Sequence, residues 1–154
     1  MPVFLIRHAK AGSRHEWTAP DGGRPLSRGG WKQANALASR LSGEVITRLL
    51  SSPSLRCRQT LEPLAERLGL GIEIRGELSE GNRFDSVLPL LDEVADGTAL
   101  CSHGDVIPSV IDALIRRGLD VIGSGDTRKA SMWVLERDGD GEFSRAHAEP
   151  PPDS

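Results

Sequence analysis

Cysteine is scarce: the 154 residues hold two, Cys57 and Cys101. Their separation fits neither a metal-binding pair nor a redox motif, and two thiols are too few for a disulfide framework. They read as small core residues of a protein in a reducing, cytoplasmic compartment. Long apolar runs are missing as well. None approaches the about 20 residues needed to span a bilayer, so no membrane partner is expected. The amino-terminal stretch MPVFLIRHAK holds four consecutive apolar residues and no small-residue cleavage site, which does not fit a signal peptide. Basic charge is not in excess: the net charge is −3. A nucleic-acid binder would show a basic stripe along one face, so no nucleic-acid partner is expected either. The four histidines lack zinc-ligand spacing, and the expectation is no metal and no other cofactor.

What is present is the pattern of an ordinary globule. Charged residues make up 27%, and the length suits one compact domain over residues 1–149, with 150–154 (PPPDS) expected as a disordered tail. Val3 to Ile6 is a short apolar run of the kind buried on both faces of a sheet, ending at Arg7-His8. A polar loop follows to about Pro25. Ser27 caps a helix whose stripe is Trp31, Ala34, Leu37, Ala38 and Leu41, with Gly43 as its stop. Val45 to Leu50 reads as a strand ending at Ser51-Ser52-Pro53. A second helix from about Ser54 carries Cys57, Leu61, Leu64, Ala65 and Leu68 inward and stops at Gly69. Gly71 to Arg75 alternates like a short strand. Ser86 is expected to cap a third helix, with Pro89 in its first turn. Thr98 to Cys101 is a buried strand running into Ser102-His103-Gly104, and Asp105 is expected to cap a fourth helix. Ala130 to Glu136 and Glu142 to Ala146 form a hairpin about the turn Asp138-Gly139-Asp140-Gly141. Strands alternating with amphipathic helices predict a three-layer α/β domain with a mainly parallel sheet flanked by helices.

Three polar segments therefore stand directly after strands: Arg7-His8, Ser51-Ser52-Pro53 leading to Arg56, and Ser102-His103-Gly104. Ligands of open α/β sheets bind outside the carboxyl ends of the strands, so these segments can converge on one pocket. Two guanidiniums match phosphate oxygens with planar forks, and two imidazoles offer a nucleophile and a further donor. Helix starts after the segments would add backbone N–H groups aimed at an anion. Such a set suits a phosphoryl group held without a metal. Each residue also has a plainer reading. An Arg-His pair alone is more often a surface or packing feature, and Arg56 and Arg58 alone would be solvated helix charges. His15 and His147 read as ordinary surface residues.

Taken in order, the motifs resemble a known family. LIRHAK resembles the Arg-His-Gly signature of the histidine phosphatase, or phosphoglycerate mutase-like, superfamily. SSPSLRCRQT is similar to its Ser-x-x-x-Arg-Ala-x-Gln-Thr motif, CSHGDV to the segment with its second histidine, and ELSEGN to the Leu-x-Glu segment that supplies a proton donor. The resemblance implies a phosphoglycerate mutase-like fold and a two-step reaction. His8 would be the nucleophile, Glu80 the proton donor, and Arg7, Arg56 and His103 would bind the phosphoryl oxygens. Glu77 is the other acid in that loop. Gly after His103 points to the branch of mutases and small phosphatases (branch 1), and the shortness of the chain to the compact SixA-type phosphohistidine phosphatases. Ala9 after the nucleophile is common in that group. Relatives of this group also occur fused behind Nudix hydrolases; no Nudix signature occurs here, so only the phosphatase half is expected. Arg14 stands where many mutases have Asn. With Lys10 it would give the mouth positive charge and favour a highly charged anion. The implied partner is a phosphorylated small molecule, a nucleotide or a phosphohistidine protein. The alternative is a catalytically retired phosphate-binding or interaction module of the same fold.

Overall fold

The computed structural model describes residues 1–152. Seven strands form one sheet: β1 (Val3–Arg7), β2 (Arg48–Ser51), β3 (Ile72–Ile74), β4 (Thr98–Ser102), β5 (Asp120–Val121), β6 (Met132–Arg137) and β7 (Phe143–Glu149). Four helices accompany them: α1 (Arg28–Leu41), α2 (Leu55–Leu68), α3 (Phe84–Glu93) and α4 (Val106–Arg116). The spatial order is β3-β2-β4-β1-β6-β7-β5. β3, β2, β4 and β1 run parallel, as does β5 beside β7, while β6 is antiparallel to both β1 and β7. The sheet is mainly parallel and the architecture is α/β, as the alternation of strands and helices predicts.

Alternation along the central strands explains the layers. In β1, Val3 and Leu5 face one core with Leu50 and Leu100, closed by Val87, Leu91, Val110 and Leu114 of α3 and α4. Phe4 and Ile6 face the other with Leu49, Ala99 and Cys101, closed by Leu37, Leu41, Leu61 and Leu64 of α1 and α2. Strands buried on both faces have no polar side to show, hence their unbroken apolar runs. Both cysteines are buried free thiols within the second core.

Local signals hold at several ends. Ser27 Oγ accepts from Gly30 N at 3.1 Å at the start of α1, and Gly69 ends α2 in the left-handed region at φ 67°. Other boundaries shift. β2 begins at Arg48 rather than Val45, and α3 begins at Phe84 with Arg83, not Ser86, at its cap position. Pro89 therefore lies beyond the first turn. Asp105 precedes α4, but its carboxylate accepts from Gly81 N at 2.8 Å instead of capping the helix. β6 starts at Met132, because Ala130 turns left-handed just before it. β5 is an addition too short to carry a pattern. The tail is placed further than expected: Pro150 O accepts from Arg40 at 3.0 Å and Pro152 is buried, while Asp153 and Ser154 lie outside the described residues.

Candidate active site

Register brings the polar segments together. Arg7 lies opposite Ser102 between β1 and β4, and Ser51 opposite Cys101 between β2 and β4, so three strands end at one edge. Beyond it His8 N donates to Ser102 O and Ser52 N to Cys101 O, both at 3.1 Å. The rings of His8 and His103 meet edge to face, 5.5 Å between centroids.

His8 is 5% exposed. Its Nδ1 lies 2.8 Å from the Ala9 carbonyl, which can only accept. Nδ1 therefore carries the hydrogen and Nε2 keeps its lone pair. Burial lowers the imidazole pKa to about 3; the Ala9 bond opposes this, and the guanidiniums of Arg56 and Arg7 reinforce it. His8 is a neutral base in any ordinary buffer.

Arg56, in the first turn of α2, is 1% exposed and clamped by carboxylates. Its Nη2 lies 2.7 Å from Glu80 Oε2 and 3.1 Å from Asp21 Oδ2, and its Nη1 donates to Asp21 O at 3.1 Å. The same Nη2 stands 3.5 Å from His103 Nδ1. A guanidinium only donates, so this contact makes Nδ1 the acceptor and leaves Nε2–H to donate to Ser52 Oγ at 2.8 Å. Cys57 Sγ is 3.6 Å from that same Nε2. Arg7 Nη1 donates to the Thr127 carbonyl. Its guanidinium fits because residue 104 is glycine: a Cβ there would lie 2.5 Å from Arg7 Cζ. The Nε–H groups of Arg7 and Arg56 are buried without a partner among the described residues, an arrangement that is costly unless a ligand accepts from the cluster.

Above these groups opens a polar cleft of about 400 Å³. Arg7, His8, Arg14, Glu80 and His103 line it, and Arg56 lies beneath it, held to Glu80. Arg14 reaches Glu80 at 3.4 Å and Asp21 at 3.7 Å. Lys10 does not line the cleft. It is exposed, and its backbone is occupied elsewhere: Lys10 O accepts from Ser27 N at 3.0 Å and Lys10 N donates to Gln33 Oε1 at 3.0 Å. Glu77 is turned away and paired with Arg75 at 2.6 Å. His15 is exposed outside the cleft, and His147 pairs with Glu149 at 3.2 Å. Among the described residues no group of three His, Cys, Asp or Glu side chains is placed to hold a metal ion.

Several contributors escape a reading of the sequence. Ser52 orients His103, Asp21 holds Arg56, and Arg24 is tied to Asp21 at 2.9 Å. Gln59 and Thr60 act as pins: Gln59 Oε1 accepts from Leu26 N at 2.8 Å, and Thr60 Oγ1 from Ala9 N at 2.9 Å. Their place in SSPSLRCRQT was a signal, though not of this role. Lys129 also lines the cleft. Ala130, next to it, is the one non-glycine with positive φ among the described residues, at 68°, which costs about 1–2 kcal/mol. Ala130 N donates to Arg7 O at 3.2 Å and His8 O at 3.1 Å, so the strained turn is bolted to the end of β1.

Comparison with known proteins agrees with this geometry. Residues 3–86 match the sequence model of the histidine phosphatase superfamily (branch 1). An 8-oxo-(d)GTP phosphatase of Mycolicibacterium smegmatis is 34% identical over 98% of this chain and 48% of its own length. The phosphohistidine phosphatase SixA of Escherichia coli is 39% identical over 46% of this chain and 43% of its own. The chain thus spans about half the length of the curated relatives it matches. A structure of the protein histidine phosphatase SixA complexed with tungstate superposes with a TM-score of 0.75 at 25% identity, covering 99% of this chain and 97% of that one. The fold is phosphoglycerate mutase-like, and the chain belongs to the histidine phosphatase superfamily, branch 1.

Proposed function

We propose that the chain is a metal-independent phosphatase that hydrolyses a phosphomonoester or a phosphohistidine through a covalent phosphohistidine on His8. The observation that carries this reading is the tautomer of His8: Nδ1 donates to Ala9 O, leaving a neutral Nε2 lone pair at a cleft surrounded by guanidiniums. In the first step Nε2 attacks phosphorus, the P–N bond forms as the bond to the leaving atom breaks, and Glu80 gives that atom its proton. In the second, water attacks phosphorus, its proton passes to Glu80, and the P–N bond breaks to release phosphate. Arg7, Arg56 and His103 hold the equatorial oxygens and spread the charge of both transition states. An arriving phosphoryl group competes with Glu80 and Asp21 for Arg56, which frees Glu80 to take up a proton. Relatives named for an oxidised nucleotide and for phosphohistidine support a nucleotide phosphate or a phosphohistidine as the substrate class.

Turnover of p-nitrophenyl phosphate tests the reading. Wild type should work unchanged in excess chelator, since guanidiniums take the place of a metal. His8→Ala should fold normally and retain less than a few per cent of the rate. Activity that dies in EDTA and revives with one divalent ion, or a substantially active His8→Ala, would overturn it.

A further inference from the structure

The cations of the cleft are not equivalent. Arg56 and Arg14 are held by Glu80 and Asp21, and Arg24 is held by Asp21 and by Gly12 O at 2.6 Å. Lys129 lines the same cleft and makes no ion pair with any described residue. Its ammonium is held below its ordinary value first by burial, then by the positive Arg7, Arg24, Arg14 and Arg56. The exposed Lys129 stands at the rim of the cleft, and its loop is fixed there because Ala130 N is bound to the carbonyls of Arg7 and His8, and Thr127 O accepts from Arg7. The cleft, about 400 Å³, is also larger than one phosphoryl group requires.

We propose that Lys129 forms a second anion subsite beside the phosphoryl position, so that the preferred ligand carries a further phosphate or carboxylate next to the transferred group. This rests on the phosphatase reading for the position of the first anion. The second anion brings the charge that Lys129 lacks, and it relieves the repulsion among the arginines around it.

Three matched, non-hydrolysable probes test the subsite by calorimetry: methylphosphonate, phosphonoacetate and methylenediphosphonate. Wild type should bind at least one of the two doubly anionic probes roughly tenfold or more tightly than methylphosphonate. Which of the two gains reports whether the subsite takes carboxylate or phosphate. Lys129→Met should shrink that ratio by about tenfold, the scale of one charge-assisted hydrogen bond, and Lys129→Arg should recover part of it. Lys32→Met removes the same charge from the exposed face of α1 and should leave the ratio as it is. An unchanged ratio in Lys129→Met, or an equal fall in Lys32→Met, would overturn the subsite. A Lys129-dependent preference in a chain that turns over no phosphate ester would uphold the subsite and sink the phosphatase reading. Turnover without the preference would do the reverse.

Discussion

His8 combines burial, neutrality and a fixed tautomer, and each has a measurable consequence. Its folded pKa of about 3 lies below the ordinary 6.5, so the unfolded chain binds a proton there that the folded chain refuses. The stability His8 contributes is fully present above pH 6.5. It falls by about 1.4 kcal/mol per pH unit as pH drops from there towards 3. Urea unfolding at several pH values should show a slope steeper by this amount in wild type than in His8→Gln; identical slopes would mean the imidazole protonates freely in the fold. Glu80 is tested through its leaving groups. An alkoxide needs its proton in the transition state, whereas nitrophenolate is stable without one, and imidazole can be protonated before attack. Glu80→Gln should therefore slow phosphorylation by alkyl phosphates by roughly 100-fold or more. By rapid quench, p-nitrophenyl phosphate and a phosphohistidine peptide should suffer much less. Equal loss on all three would reduce Glu80 to holding Arg56. Asp105, bound to Gly81 N, would then be the acid to test.

The start of α4 and the turn before β6 set the position of Arg7. Gly104 leaves the space its guanidinium fills, and Thr127 O holds its end. A methyl at position 104 meets only the tip of a flexible side chain. Gly104→Ala should thus displace Arg7 while sparing the fold: kcat/KM falls roughly 100-fold, the usual penalty for misplacing a binding group by about 1 Å, and the melting temperature barely moves. Retained activity would contradict this, as would a loss matched by unfolding. These elements also show what a sequence can and cannot express. The runs of β1 and β4 and the stripes of α1 and α2 were readable because burial acts on every residue of them. Asp21 and Lys129 were not, and Ser52 was readable as part of a strand-end segment but not as the partner of His103, because each acts through a partner distant in the chain. The same holds for Lys10: proximity to His8 in sequence suggested a place at the mouth, but its backbone is tied to Ser27 and Gln33.

The parallel centre of the sheet, covered on both faces, gathers Arg7, His8, Ser52 and His103 at one edge. The place of these segments directly after strands already implied that convergence, but the second ring of groups emerged only with the fold. Helix α2 contributes Arg56, Gln59 and Thr60, and the loop before β6 contributes Thr127 and Lys129. All of this serves one chemical claim, that phosphorus is bonded to His8 midway through the reaction. Rapid mixing of the protein with a ³²P-labelled phosphate ester, quenching in alkali and peptide mapping tests it most directly. The prediction is label on His8 within the first turnover, stable to alkali and lost in mild acid as a phosphoramidate should be, and absent from His8→Ala. Label on another residue, or steady turnover with no label on His8 at any quench time, would contradict it.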